Sequence, residues 1–190
     1  MENKRAAIYI DGSNLYHKLS SETLKFENLK KFNYRGLAEW LARDRRIVSC
    51  RYYVGVIRAK PSDQKGQELR QSQQKLFSHL TSQSQRFTIR EGYIMEHKGI
   101  HYEKGVDVEM AVDLICGAYD DIYDVAILLS SDTDLIPAIK RVRSLKKEIE
   151  YIGFAHQPSL ALQRHASLSR LLIKEELQPF VYKDQPKLDL

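Results

Sequence analysis

The chain has little cysteine, with Cys50 and Cys116 the only two among 190 residues. Two thiols cannot build a disulfide framework or a four-thiolate metal site. Long apolar runs are missing too. Val125–Leu129 is among the longest, far short of the roughly 20 residues that a membrane-spanning helix needs, so no membrane association is expected. Nine glycines and five prolines form no low-complexity linker, no internal repeat, and no G-x-G-x-x-G or Walker phosphate loop. Met-Glu-Asn-Lys-Arg leads straight into Ala6–Ile10, the start expected of a chain without a signal peptide. The setting expected from these absences is reducing and cytoplasmic.

The residues present are 43% hydrophobic and 29% charged, with a formal charge of +5 and a mean hydropathy of −0.46. That is a globular composition, and the length suits one domain over 1–190. The charge is unevenly spread. Residues 1–102 carry 19 basic and 10 acidic side chains, residues 103–134 one basic and nine acidic, and residues 135–190 ten basic and six acidic. An acidic island therefore sits inside a basic protein. A solvated acidic helix and loop is the plain explanation for such a run.

Periodicity places the island. Ala6–Ile10 and Val125–Ser130 are apolar without alternation, as strands buried on both faces are, and each runs into small polar residues. Further strands are expected over 47–57, 87–95, 100–102 and 148–154, with a turn at Lys98-Gly99. Helices are expected from Ser13 or Asn14 to about 20, and over 34–43, about 64–84, 106–118, 134–147 and 160–172, with a tail beyond. Pro137 fixes a helix start, because proline is tolerated in a first turn. Strands and helices alternating in this way imply a three-layer α/β/α fold with a mainly parallel central sheet. In such sheets the functional crevice lies at the carboxyl ends of the strands.

The acidic groups fall where that rule puts a site. Asp11 follows the first strand, Asp132 and Asp134 follow the strand at 125–130, and Asp107 opens the helix at 106–118. Taking about 100° per residue, Ala111, Leu114 and Ala118 lie within about 40° of Asp107, which sets this carboxylate on the core-facing stripe. Asp113 falls on the other side of the helix. Converging carboxylates repel one another unless a hard cation relieves them, and Mg²⁺ or Mn²⁺ does so while bridging to phosphate oxygens. Taken singly, each aspartate reads equally as a helix cap, and Asn14 as a plain N-cap.

Three segments also carry a family resemblance. Tyr-Ile-Asp-Gly-Ser-Asn at 9–14, Lys-Gly-Val-Asp-Val-Glu-Met-Ala-Val-Asp at 104–113 and Leu-Leu-Ser-Ser-Asp-Thr-Asp-Leu-Ile-Pro at 128–137 resemble, in order and spacing, the motifs of NYN domains, a PIN-like family of metal-dependent nucleases. The similarity extends over roughly 5–155, leaving a C-terminal helix and tail over 156–190. It implies that Asp11, Asp107 and Asp132 are metal-binding carboxylates, with Asp134 the second acid of the third motif and Asn14 positioning metal or phosphate. Asp113 falls on a family-typical aspartate and is read, with Ser130, as a supporting residue. Ser131 departs from the Ser-Gly-Asp of many members. A serine there requires that the backbone not demand a positive φ.

The expectation is thus a Mg²⁺- or Mn²⁺-dependent nuclease, with RNA favoured over DNA by the resemblance alone. Catalysis is assigned to Asp11, Asp107, Asp132, Asp134 and Asn14, and phosphate contacts to Lys104, Lys140, Arg143 and Lys147. Arg43, Arg45, Arg46 and Arg51, or Arg58, Lys60 and Lys65, would widen a groove, and Tyr52, Tyr53, Tyr93 and Tyr102 would stack bases. The rival readings are an RNA-binding adaptor that no longer cleaves and a phosphatase of small phosphomonoesters. His97 and His101 read as surface histidines, and Cys50 and Cys116 as small core groups. Oligomeric state, a homo-oligomer included, is left open.

Overall fold

A computed structural model describes residues 3–26, 29–97 and 100–181. Lys98 and Gly99, where a turn is expected, lie outside them, as does the tail beyond Val181. Seven strands form one sheet: β1 (Arg5–Asp11), β2 (Arg46–Val56), β3 (Thr88–His97), β4 (Ile100–Lys104), β5 (Val125–Leu129), β6 (Glu148–Phe154) and β7 (Leu168–Leu172). The order is β4-β3-β2-β1-β5-β6-β7. Six strands run parallel, and β4 turns back antiparallel on β3 at one edge. The helices are α1 (Gly12–Leu19), α2 (Tyr34–Ala42), α3 (Gln64–Leu80), α4 (Val106–Tyr119), α5 (Ile136–Ser144), α6 (Leu160–His165) and α7 (Lys174–Leu177). None of them is long and apolar enough to cross a membrane.

The uninterrupted apolar runs sit at the centre because helices cover both faces of the sheet. Ala6, Ile8 and Ile10 of β1, with Val125, Ile127 and Leu129 of β5, pack with side chains from α1 and α2. Ala7, Tyr9, Ala126 and Leu128 point the other way, into a core shared with α4, α5 and α6. This is the expected three-layer α/β/α architecture with its mainly parallel sheet. Successive crossovers run outward from β1 in one direction to β3 and, after α4, outward from β5 in the other. The switch point lies between β1 and β5, where a crevice opens at the carboxyl ends.

Several expected boundaries move: α3 ends at Leu80 instead of about 84, and β4 continues to Lys104. The segment 160–172 is a short helix followed by an edge strand. Ala166 turns extended (φ −69°, ψ 161°), and Ser167 meets Ile149 through both its N–H and its hydroxyl. Leu168–Leu172 then takes up the backbone groups that β6 would otherwise leave unpaired. Arg170 clamps the strand, with its guanidinium 3.6 Å over the Trp40 ring. Leu172 and Leu177 are fully buried in the core, so the sheet and its packing continue past residue 155. Helix α5 ends at Ser144, three residues before expectation, because Lys146 adopts a left-handed φ of 61°.

The amino ends of β1 and β5 are fastened by charge. Asp124 accepts the Arg5 backbone N–H (2.7 Å) and two guanidinium contacts (3.1 and 2.8 Å). Lys147 pairs with Asp121 and, at 3.5 Å, with Asp124. The hydrogen bonds from Arg5 hold the Asp124 carboxyl well below the usual carboxylate range. A depressed folded-state pKa adds stability that is complete above the ordinary value near 3.8 and disappears as pH falls further. Asp124→Asn is therefore expected to lose about 1 kcal/mol at neutral pH, the partial exposure of the pair keeping it small. Thermal melts of the two proteins should converge as the pH drops below about 4.

Candidate metal centre

The register of the two central strands builds the site. Ile10 lies beside Leu129, so the residues that follow, Asp11 and Ser130, leave the sheet side by side. Asp11 caps α1: its Oδ1 accepts the Asn14 N–H at 2.9 Å, and its Oδ2 accepts the Ser130 hydroxyl at 2.9 Å. Ser130 is buried, and its Oγ accepts the Asp132 N–H at 3.1 Å. Asp132 in turn accepts the Asp134 N–H at 2.9 Å, capping a single 3₁₀ turn, Thr133–Leu135, that leads into α5. Asp11, Ser130, Asp132 and Asp134 thus form one continuous relay across the switch point.

Asp107 arrives from the opposite wall, in the first turn of α4. Its helix starts where it does because Gly105 caps it with a φ of 83°, a left-handed conformation that glycine adopts without strain. Gly12 is fixed for another reason: a Cβ there would sit 2.2 Å from the Tyr52 ring. One carboxylate oxygen from each of Asp107, Asp132 and Asp134 lies within 4.8 Å of the others. Asp11 joins Asp107 and Asp132 in lining a cavity of about 210 Å³ floored by Val106, Met110 and Leu135. Three hard oxygen donors at this spacing, Asp107 and Asp132 half-buried and Asp134 exposed, fit a Mg²⁺- or Mn²⁺-sized cation. Asn14 Oδ1, in the first turn of α1, and Ser131 Oγ, in the loop after β5, are buried without a hydrogen-bond partner among the described residues. The positive ends of α1 and α4 stabilise the adjacent carboxylates.

The remaining expected site residues separate. Asp113, just over one and a half turns down α4, accepts the Tyr53 hydroxyl at 2.7 Å and faces Arg90 at 3.1 Å and Arg51 at 3.4 Å. It is neutralised there and fixes α4 on the sheet. Lys104 is exposed beside the head of α4, and Lys140 is exposed one turn into α5. Arg143 is turned to α6, donating to the His165 carbonyl at 2.8 Å. Lys147 lies at the far end of the sheet in the Arg5 network; the structure does not bring it to the carboxylates, because α5 runs away from them and Lys147 follows its carboxyl end. Arg43, Arg45 and Arg46 sit at the amino end of β2, and Arg45 pairs with buried Glu150 at 2.5 Å. Arg58, Lys60 and Lys65 are exposed beyond its carboxyl end, the same end as the cavity. Tyr52 and Tyr53 are buried and cannot stack on bases, whereas Tyr93 is 48% exposed. Cys50 is buried, and burial pushes its thiol up to about 11. Cys116, expected in the core, is exposed on α4. The Arg51 and Arg90 partners of Asp113 escape sequence reasoning because nothing local marks two strand arginines as facing one helix carboxylate.

The sequence model of the NYN domain family matches residues 5–171. The chain belongs to the NYN domain family. An NYN domain carries the PIN-like nuclease fold, and here its aspartate cluster stands at the switch point. A crystal structure of a protein of unknown function from Vibrio parahaemolyticus is similar over 92% of this chain and 98% of that one, with a TM-score of 0.61 and 20% identity. That likeness concerns the fold. No curated protein matches the sequence. This NYN domain tolerates Ser131 because its backbone is not among the described non-glycine positions with positive φ.

Ser130→Ala should expose the importance of the relay, since it leaves the Asp132 N–H without its acceptor. We expect a stability loss of about 1 kcal/mol and about tenfold weaker Mn²⁺ binding by calorimetric titration. Unchanged Mn²⁺ affinity would show that the Asp11–Ser130–Asp132 linkage does not shape the centre.

Proposed function

We propose that this NYN domain is a Mg²⁺- or Mn²⁺-dependent nuclease that hydrolyses nucleic-acid phosphodiesters, with RNA favoured and cleavage internal to the strand. The observation that carries the reading is the convergence of Asp107, Asp132 and Asp134 within 4.8 Å at the carboxyl end of a parallel sheet. Asp107, Asp132 and Asp134 would hold the cation, with Asp11 at the rim of the same cavity. A bound divalent cation supplies Lewis-acid stabilisation of phosphoryl charge and acidifies water.

The protein's own residues orient and neutralise. Asp11, tied to Ser130 and the α1 N-terminus, keeps the loops after β1 and β5 in register. Val106, Met110 and Leu135 make the cavity floor apolar, which strengthens the electrostatic interactions above it. Lys104, Lys140, Arg58, Lys60 and Lys65, all exposed at or near this end of the fold, supply phosphate contacts along a strand. This spread of cations suits a polyanion better than a small phosphomonoester, and it gives binding a steep salt dependence.

The decisive measurement is incubation of the folded chain with labelled single-stranded and structured RNA and DNA, with Mn²⁺ or with chelator. Cleavage should require the metal, and Asp132→Asn should reduce its rate by about 10²-fold or more with an unchanged circular dichroism spectrum. Saturable RNA binding without product at any Mg²⁺ or Mn²⁺ concentration would replace the nuclease by a silent RNA-binding adaptor. Wild-type rates from Asp132→Asn would defeat the site assignment.

A further inference from the structure

Helix α4 presents solvent with a face that is apolar along its length. Val108, Val112 and Tyr119 are 61%, 51% and 73% exposed, and Ile122 just beyond the helix is 44% exposed. Cys116 is exposed on the same side, and Ile115 is half-buried. The opposite side of α4 is already committed to the core through Val106, Met110 and Leu114. An exposed apolar stripe opposite a core-facing one marks an interaction surface.

The spacing indicates what covers it. Positions 108, 112, 115 and 119 are separated by four, three and four residues, the seam of a coiled coil. Met110 and Gly117 fall opposite that seam and are buried, so Val108, Val112 and Tyr119 face outward, while Ile115 at the inner edge of the seam also packs against the core. Its two edges differ in charge. Asp113 reaches Arg51 and Arg90 on one side of α4, and the exposed Glu109 and Asp120 lie on that same side by helical phase. On the other side runs α5. Arg143 is turned to α6, so Arg141, about 160° further round α5, is turned toward α4, with Lys140 on the solvent pole.

We propose that α4 pairs in parallel with the α4 of a second copy of this chain, about a two-fold axis running along the helices. That operation sets the acidic edge of each copy against the basic edge of the other. An antiparallel pair would set like edges together, which is repulsive. Because Asp107 heads α4, the parallel pair also brings the two acidic cavities to the same end of the dimer, side by side on one surface.

The test is sedimentation of the full chain from about 1 to about 200 μM, the range in which a small apolar interface associates. The mass should rise from the 22.1 kDa of the monomer toward twice that value. Val112→Glu, a half-exposed position in the monomer, should keep its circular dichroism spectrum and weaken the dimer at least about tenfold. Orientation is read by oxidation in a Cys116→Ser background. Val112→Cys and Tyr119→Cys should each give a covalent dimer, since parallel helices bring every seam residue to its own copy. A chain that stays monomeric throughout, a dimer indifferent to Val112→Glu, or cross-linking at only one of the two positions would overturn the proposal.

Discussion

The parallel pairing of β1 with β5 is the constraint on which the rest depends. Its register places Ile10 beside Leu129, so the two strands end within one residue of each other and hand over to helices through adjacent loops. Each loop must turn at once from strand to helix, which favours a side chain that caps. Asp11 and Asp132 both do so. Capping aims their carboxylates toward the crevice, and the Ser130 hydroxyl joins the two loops. The acidic cavity is thus a direct product of how a doubly wound sheet ends its two central strands, with Asp107 added by the helix that crosses over from the β3–β4 side.

The acidic island of the sequence resolves into three electrostatic fates. Asp107, Asp132 and Asp134 crowd together beside helix amino ends, in an arrangement that a divalent cation would fit. Asp113 sits under two arginines and a tyrosine hydroxyl and acts as a bolt between α4 and the sheet. Asp121 and Asp124 close a network with Arg5 and Lys147 at the opposite end of the fold. Charge that looks like one patch in sequence is therefore divided between a site, a positioning contact and a foundation. Lys147 belongs to the last of these, and helical spacing alone cannot tell it from Lys140, because the sign of a charge does not say which end of a sheet it reaches.

What was legible in the sequence follows the same logic. Runs such as Ala6–Ile10 and Val125–Leu129 announce central strands because both faces are covered, and the small polar residues after them announce the site. The strand at 168–172 was hidden. Its leucines fit a helical stripe as well as an edge strand, and only the open edge of β6 decides between them. The end of α5 was hidden because a lysine, not a glycine, takes the left-handed conformation that stops it. Tyr52 and Tyr53 offered aromatic rings on a basic background, yet in the fold they fill the core on opposite faces of β2.

Helix α4 joins the acidic centre, the sheet and the outer surface in one element. Its first turn carries Asp107, its middle is fastened to β2 and β3 through Asp113, and its outer face is a hydrophobic seam. Three carboxylate donors from two separate walls can hold a small cation only if the walls keep their spacing, since Mg²⁺ demands near-ideal geometry. On one wall the hydrogen-bonded relay from Asp11 to Asp134 sets the positions. On the other, the position of Asp107 depends on how firmly a single helix is seated. Covering the seam would seat α4 from outside as Asp113 seats it from within, so the proposed association would be mechanically linked to the geometry of the acidic centre through one element.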